Sequence, residues 1–283
     1  MATKAPVVVG VDSSDDAVQA VRWAANDAAL HKVPLEVISA VPPLPGERAA
    51  DDAALDYHSR LGEQARQAVE AAARVAADIA PAVEVTTAVV DAAIIPALLD
   101  SAARARLVVV GARGLGAYQR SLLGSVSTAL VRHAHGPVAV VPDDPMLGSE
   151  RPVLIGYDDS PCSADALAIA ITEARRRAVD LTVVHTWQRY GDYPSPAALQ
   201  EEGARLLDAA LTVHEDPDEP VTVRRIVVED RPVRRILAES ANAQLVVVGS
   251  HGKGGFPGMT LGSTSQALMH SVECPIIIAR PRD

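Results

Sequence analysis

The chain of 283 residues has few aromatic residues, few cysteines and no long apolar segment. Aromatic residues make up 3% of it, which argues against a platform on which single-stranded nucleic acid could stack. Two cysteines, Cys162 and Cys274, exclude a disulfide framework and a cysteine-rich metal site. The longest apolar runs, such as 107–110 and 276–279, are too short to span a bilayer. The first residues lack an apolar signal region, so we expect a cytoplasmic protein without membrane contact.

Positive charge is also scarce, because the formal net charge is -10. Such a chain repels the backbone of a nucleic acid, so we expect no nucleic-acid partner. A free nucleotide could still bind through backbone N–H groups, which do not depend on net charge. Hydrophobic residues reach 48%, and most are Ala, Val, Leu and Ile, which suits helices packed on aliphatic strands.

The sequence repeats itself once. The segment that ends in Asp12 matches the one that ends in Asp158, 146 positions later. The motif Leu-Val-Val-Val-Gly that ends in Gly111 recurs 138 positions later, where it ends in Gly249. The second copy is therefore eight residues shorter, and we expect the shift between its second strand and the strand near 221. Residues 142–150 contain Pro, Asp and Gly without periodicity, as a linker does. The predicted domains are 1–146 and 147–283.

Each copy alternates apolar strands with helices, which predicts an α/β fold with a five-stranded parallel sheet. The predicted strands are 7–11, 35–41, 83–90, 107–110 and 138–141, then 153–157, 181–186, 221–228, 245–248 and 276–279. Ser13 or Ser14 is expected to cap the first helix, with Val18, Val21, Ala25 and Ala28 on its buried face. Further helices are predicted at 57–79, 94–104, 125–133, 163–177, 196–211, 232–241 and 263–271. Ligands of such sheets bind beyond the carboxyl ends of the strands.

The loop after the fourth strand has the same pattern in both copies, Gly-x2-Gly-x9-Gly-Ser. Glycines there allow a sharp turn and a close approach of the backbone to a ligand. The last glycine precedes a helix, whose N-terminal N–H groups suit a phosphate. A serine after it and another two residues later add hydroxyl donors, so no lysine is required. The same residues could form only a turn and a helix cap, but their recurrence at identical spacing favours a phosphate loop.

These motifs resemble those of tandem universal stress proteins of the ATP-binding kind, over essentially the whole chain and twice. The resemblance rests on the strand that ends in Asp, Val-Val-Val-Gly before the loop, the nine-residue spacer, and Gly-Ser-Val-Ser or Gly-Ser-Thr-Ser after it. It implies a Rossmann-like fold that holds ATP at two sites, with Mg²⁺ as an optional companion. The implied contacts are Asp12, Ala40, Gly111, Gly114, Gly124, Ser125, Val126, Ser127, Asp158, Thr186, Gly249, Gly252, Gly262, Ser263, Thr264 and Ser265. Asp12 and Asp158 would contact the nucleoside, and the ends of the second strands would contact adenine. The glycine loop would contact the phosphates and the ribose.

The two copies differ inside this loop. Ala112-Arg113 in the first copy stands where the second has Ser250-His251. Arg113 could reach a phosphate or could be a solvated loop residue. The second spacer is unusually rich in glycine over 253–258, and loops of that composition tend to be mobile. We therefore expect the two sites to bind unequally.

Other candidate residues have an ordinary explanation beside the functional one. Asp12 and Asp158 could cap a helix, but their place at the end of the first strand favours ligand contact. A histidine pair at 133 and 135 suggests a metal, yet the repeat does not preserve it, so contact with helix carbonyls is preferred. Cys162 lies near a helix start, where the pKa of a thiol can fall, but it has no partner cysteine nearby in sequence. Trp23 and Trp187 are expected to pack or to line a cleft edge.

The preferred function is a nucleotide-dependent regulator or sensor that acts on an unknown protein partner. The sequence has no Walker lysine motif and no evident base or metal pair, so any ATP hydrolysis should be slow. An ATP-using enzyme of the ligase or pyrophosphatase type is an alternative, although its usual Ser-Gly-Gly loop is missing after the first strand. A flavin or dinucleotide module is another, but its glycine fingerprint should also follow the first strand. Because apolar fifth strands make sticky edges, and the family resemblance implies that such edges pair, we expect the copies to associate through them and the chain to form a homodimer.

Overall fold

The computed structural model describes residues 4–44, 52–114, 123–189, 194–254 and 259–280. The chain separates into two compact units that divide between Leu147 and Gly148. Each unit is described by itself, as unit 1 and unit 2. Both contain the predicted alternation of strands and helices around a parallel sheet.

Unit 1 has a doubly wound sheet in the order β3-β2-β1-β4-β5, in which all the pairs are parallel. Its elements in chain order are β1 (Val7–Gly10), α1 (Asp15–His31), β2 (Leu35–Ala40), α2 (Asp52–Ile79), β3 (Val85–Val90), α3 (Ile94–Ala102), β4 (Leu107–Gly111), α4 (Ser125–His133) and β5 (Val138–Val141).

Unit 2 repeats the order as β8-β7-β6-β9-β10, again with parallel pairs. Its elements are β6 (Val153–Gly156), α5 (Pro161–Arg177), β7 (Leu181–Trp187), α6 (Pro196–Thr212), β8 (Val223–Glu229), α7 (Pro232–Ser240), β9 (Leu245–Gly249), α8 (Ser263–Met269) and β10 (Ile276–Ala279).

The central strands are buried on both faces because helices cover both sides of the sheet. Val7, Val8 and Val9 of β1 have no exposed surface, and Val108 and Val109 of β4 have none either. Such strands appear in a sequence as continuous aliphatic runs rather than as alternating patterns. The runs that predicted parallel strands are therefore the core of each unit.

The first helix of unit 1 follows its prediction except at one residue. Val21, Ala25 and Ala28 are buried, but Val18 is 42% exposed. The prediction for Val18 was wrong because the buried face of α1 also includes Ala17, Ala20 and Ala24, which leaves Val18 at its exposed edge. Helical spacing alone defines a stripe of residues, and the neighbouring sheet decides which side of that stripe is covered.

Serine caps begin the first helix of both units. Ser14 accepts a hydrogen bond from the backbone N–H of Ala17, which settles the choice between Ser13 and Ser14. Ser160 does the same for Ser163 and forms a reciprocal capping box with it. At the other end, Lys32 and Ala178 adopt the left-handed conformation with φ of 53°. Glycine is the usual residue there, so the sequence contains no sign of these two caps.

The length difference between the copies lies between their second and third strands, where the second helix is shorter in unit 2 and the loop after it is longer. Helix α2 has 28 residues and α6 has 17. Strands before this helix keep the offset of 146 (Leu35 to Leu181), and strands after it have the offset of 138 (Val85 to Val223). The predicted position of the eight-residue shift is therefore confirmed.

The strand order reverses next to the first strand of each unit. The connection after β1 leads to β2 on one side, whereas β4 lies on the other side, and β6 has the same relation to β7 and β9. A crevice forms at such a point, beyond the carboxyl ends of the strands. Among the described residues, no helix is long and apolar enough to cross a membrane.

Candidate functional site

Unit 2 has a cavity of about 610 Å³ at the carboxyl ends of β6 and β9, where its strand order reverses. The predicted residues come from three of the segments in its walls: the loop after β6, the end of β7, and the glycine loop with the first turn of α8. The structure brings every residue predicted for the second site to this one cavity: Asp158, Thr186, Gly249, Gly252, Gly262, Ser263, Thr264 and Ser265.

The cavity also has an apolar wall that the sequence analysis missed. Val184 of β7, Pro232 and Ile236 of α7, and Val248 of β9 line it. Ile236 packs so closely on β6 that a side chain at Gly156 would lie 2.5 Å from its Cδ1 atom. Only the strand order shows that α7 covers this end of the sheet, so local sequence patterns could not have identified these residues.

The acid after the first strand organises the loop beside it. Oδ1 of Asp158 accepts hydrogen bonds from the backbone N–H (3.1 Å) and the hydroxyl (2.6 Å) of Ser160, and Oδ2 accepts one from the Lys253 N–H (3.0 Å). In unit 1, Oδ1 of Asp12 accepts bonds from the N–H and hydroxyl of Ser14. Serine is therefore the helix cap in both units, and the acid supports the cap and faces the loop.

The loop glycines have different neighbours. A Cβ at Gly114 would lie 2.8 Å from Oδ2 of Asp12, and one at Gly252 would collide with Oδ2 of Asp158. A Cβ at Gly111 would lie 2.9 Å from the backbone of Asp16 in α1. At Gly124 the nearest atoms would be 3.5 Å away, which is ordinary contact. The first glycine of the loop is thus required by backbone packing, whereas a side chain at the second would displace the carboxylate of the strand-end acid.

Two of the predicted serines serve the loop itself. Ser127 and Ser265 are 1% and 4% exposed. The hydroxyl of Ser127 donates to the carbonyl oxygens of Gly124 (2.9 Å) and Ala112 (3.2 Å), and that of Ser265 donates to the Gly249 carbonyl at 2.6 Å. These hydrogen bonds connect the starts of α4 and α8 to the ends of β4 and β9.

The helix after the loop starts without a side-chain cap. Gly124 is the N-cap of α4 and Gly262 that of α8, and neither has a side chain that could accept from the first turn. The first N–H groups of a helix have no acceptor within the helix. Their partial positive charge attracts an anion. Ser125 and Ser263, at the first helical position, are exposed.

In unit 1, Arg113 is held by two carboxylates. Its backbone N–H (2.9 Å) and Nε (3.1 Å) donate to Oδ2 of Asp16, and its terminal nitrogen pairs with Asp143. Burial raises the pKa of Asp16, and the contact with Arg113 opposes that rise. The hydrogen bonds to Asp143 and Asp16 raise the pKa of Arg113. Its guanidinium is therefore occupied by intramolecular ion pairs.

In unit 2, uncharged groups replace this arrangement. Position 162 has Cys where unit 1 has Asp16, and its Sγ lies 3.6 Å from the hydroxyl of Ser250. His251 hydrogen-bonds the Met259 carbonyl through Nε2 and the Ser250 hydroxyl, at 3.0 Å, through Nδ1. Since Nε2 donates to a carbonyl, Nδ1 of the neutral ring accepts from the hydroxyl. The cation near this site is Lys253, whose Nζ lies 3.0 Å from Oδ2 of Asp159.

The remaining residues singled out in the sequence lie elsewhere. His133 and His135 are exposed around the end of α4, and Trp23 is buried in α1. Trp187 ends β7 and donates to Gln200 at 3.2 Å. Burial raises the pKa of the Cys274 thiol to about 12. The middle of each loop, 115–122 and 255–258, is outside the described residues.

Comparison with known proteins gives the same family for both halves of the chain. The model of the universal stress protein family matches residues 5–142 and again 150–280. The chain belongs to the universal stress protein family. A universal stress protein of Mycobacterium tuberculosis is 42% identical over an alignment of 309 positions, which covers 99% of this chain and 97% of the relative. One from Mycolicibacterium smegmatis is 40% identical, with 99% of both chains covered.

A solved structure shares the fold over the whole chain. The universal stress protein from Archaeoglobus fulgidus superposes with a TM-score of 0.71 at 22% identity, covering 99% of this chain and 98% of that one. The chain is thus a tandem universal stress protein with two Rossmann-like α/β domains. The predicted family and fold class are confirmed.

Proposed function

We propose that each domain binds an adenine nucleotide, with ATP as the ligand, at the point where its strand order reverses. The observation that carries this proposal is the cavity of unit 2. It combines an apolar wall, a strand-end acid, a glycine loop and a helix start without a side-chain cap. These features suit a base, a ribose and a phosphate chain in that order.

The parts of the nucleotide would be held by different groups. Val184, Pro232 and Ile236 offer an apolar surface to adenine, and the backbone of Thr186 offers it a polar edge. The carboxylate of Asp158 is an acceptor for ribose hydroxyls. The first N–H groups of α8 would donate to phosphate oxygens, as helix N-termini do.

A magnesium ion finds no ready ligand in Asp158. Both oxygens of this carboxylate accept hydrogen bonds from Ser160 and Lys253, whereas Mg²⁺ requires carboxylate or water oxygens in a near-octahedral arrangement. The proposal therefore assigns Asp158 no contact with Mg²⁺, and a magnesium ion in unit 2 would bind through the phosphates and water.

Occupancy of the site would act through the helix that follows the loop. Gly262 donates to the Ser250 carbonyl at 2.8 Å, and the Ser265 hydroxyl donates to Gly249. Equivalent bonds join Gly124 and Ser127 to Ala112. A phosphate on the loop would thus fix the helix start, and a protein partner that contacts this surface would sense the nucleotide. We propose a cytoplasmic regulator, with homodimerisation and slow ATP turnover as further parts of the proposal.

The test is to identify the nucleotide that the protein carries and binds. Purified full-length protein is denatured, and the released nucleotides are identified by mass spectrometry; calorimetry then compares ATP with AMP and FMN. We expect adenine nucleotides in the extract and ATP binding in the titration. Binding of FMN alone would favour the flavin alternative. Release of pyrophosphate and AMP in the presence of an acceptor would favour the enzyme.

A further inference from the structure

In the described part of unit 2, the ion pair of Lys253 and Asp159 joins two of the loops that form its cavity. Nζ of Lys253, after β9, lies 3.0 Å from Oδ2 of Asp159, after β6. The two side chains are 57% and 51% exposed, so the pair lies at the entrance rather than in the interior. Lys253 itself lines the cavity, together with the first turn of α8.

The backbone conformation of both loops brings the side chains of Lys253 and Asp159 together. The Lys253 N–H donates to Oδ2 of Asp158 at 3.0 Å, which fixes the start of the loop against the end of β6. Asp159 adopts φ of 60°, a left-handed conformation that aspartate visits more readily than most residues. Its Oδ2 faces Lys253, and its Oδ1 accepts a hydrogen bond from the Tyr157 hydroxyl at 3.4 Å.

The first copy has neither partner of this pair. The repeat offsets place Leu115 and Ser13 at the corresponding positions; Leu115 is outside the described residues, and neither side chain carries a charge. The cation that unit 1 has near its loop, Arg113, pairs with Asp16 and Asp143 instead. An exposed, singly paired cation is thus a property of the second site.

We propose that Lys253 distinguishes nucleotides by the length of their phosphate chain in the second domain, and that Asp159 competes with the phosphates for its ammonium group. This inference rests on the proposed nucleotide site. An exposed ion pair contributes little stability, about 0–1 kcal/mol, so the ammonium can change partner at low cost. A triphosphate carries more negative charge than one carboxylate and attracts Lys253 more strongly.

The proposal predicts opposite effects for the two members of the pair. Lys253→Gln removes the phosphate contact, so affinity for ATP falls about tenfold, while affinity for AMP changes less than about twofold. Asp159→Asn removes the competitor, so affinity for ATP rises about threefold. If the pair only stabilised the loop, both substitutions would weaken binding, and they would weaken ATP and AMP alike.

The experiment measures ATP and AMP binding by calorimetry on the full chain. Ser125→Pro, which removes a phosphate donor and so weakens binding to unit 1, is included in every sample so that the tighter of the two binding steps reports unit 2. The variants Lys253→Gln, Lys253→Arg and Asp159→Asn are compared in this background, with melting temperatures as the control for folding. A lower ATP-to-AMP preference in Lys253→Gln, restored in Lys253→Arg and increased in Asp159→Asn, supports the proposal.

Two other outcomes overturn it in distinguishable ways. In the first, ATP binds but the preference for ATP over AMP is the same in all variants, or both charge-removing variants shift this preference in the same direction. Lys253 then does not distinguish nucleotides by their phosphate chain, and the proposed nucleotide site is unaffected. If no adenine nucleotide binds to the unsubstituted chain, the proposed function fails together with this inference.

Discussion

The loop glycines differ in what lies beside each of them. The sequence motif predicts one role for all of them, which is to admit a ligand. The structure shows that Gly111 and Gly249 admit the first turn of a helix, and that Gly114 and Gly252 admit the carboxylate after the first strand. The sequence motif indicates where a Cβ is not tolerated. It does not indicate whether a ligand or a residue of the protein itself occupies the space of that Cβ.

We expect Gly249→Ala to destabilise unit 2. A Cβ there would lie 2.7 Å from the carbonyl carbon of Cys162, and overpacking of this kind costs about 1–3 kcal/mol. The free energy of unfolding from urea titrations measures the effect. Gly254→Ala is the matched control, because a Cβ at Gly254 has nothing within 4 Å. Equal stability of the two variants would contradict the claim that the backbone of α5 excludes a side chain at Gly249.

The ion pair of Arg113 predicts a dependence of stability on pH. Burial raises the pKa of Asp16 above 3.8, and the hydrogen bond and charge of Arg113 counteract this rise. A raised pKa in the folded state means that stability falls as the pH rises from the unfolded value through the folded one. Arg113→Met removes the counteracting charge and should cost about 1 kcal/mol near pH 7.5 and less near pH 4.

The control for this prediction is the double variant Asp16→Asn with Arg113→Met, which has no titrating carboxyl at position 16. Urea unfolding at both pH values should give it the same loss relative to Asp16→Asn alone, because neither of these two proteins has a carboxyl at position 16. If the single variant loses as much stability at the lower pH as at the higher one, burial of Asp16 is not the cause.

At the scale of elements, strands were easier to predict than the ends of helices. A parallel strand buried on both faces needs an uninterrupted aliphatic run, so β4 and β9 appear as the same Leu-Val-Val-Val-Gly. The serine caps of α1 and α5 also follow from a local rule. The left-handed ends at Lys32 and Ala178 do not follow from their residue types, although the N–H groups of these residues and of the next ones bond back to the last helical turn.

We expect Ala178→Gly to stabilise unit 2, since glycine adopts φ of 53° without the steric cost that alanine bears. The gain should be about 0.5–1 kcal/mol in the free energy of unfolding. Ala164→Gly in the same helix is the control and should lose about 1 kcal/mol. A loss in both variants would show that the end of α5 is not strained.

At the scale of the whole molecule, the duplication made the architecture predictable. One copy alone leaves a glycine loop ambiguous, whereas two copies with fixed offsets define the domains, the strands and the equivalent site residues. The apolar wall of the site could not be predicted in this way. It depends on α7, which is far from the loop in sequence and reaches the cavity only through the order of the strands.

The two sites differ in their charged groups, which supports the expectation that they bind unequally. Unit 1 has Arg113 bound to Asp16 and Asp143, and unit 2 has the exposed pair of Lys253 and Asp159. The sequence already showed that Arg113 and His251 differ. It could not show that Arg113 is held by intramolecular ion pairs, because Asp16 is distant in sequence.

The central claim is that helix-start N–H groups bind the phosphates of ATP in both domains. Proline at the first helical position removes one such N–H and fits the helix. Its preceding residue must be extended, as Gly124 (ψ 155°) and Gly262 (ψ 152°) already are. The variant Ser125→Pro with Ser263→Pro therefore removes a donor from each site while it preserves the fold.

The most direct measurement is calorimetric titration of this double variant with ATP, beside the control Ser125→Ala with Ser263→Ala, which keeps both N–H groups. Loss of a hydrogen bond to a charged group costs about 1.5–3 kcal/mol. We predict two ATP molecules bound per wild-type chain, a fall in affinity of about tenfold or more in the proline variant, and a smaller change in the alanine variant. Wild-type affinity in the proline variant would contradict the account.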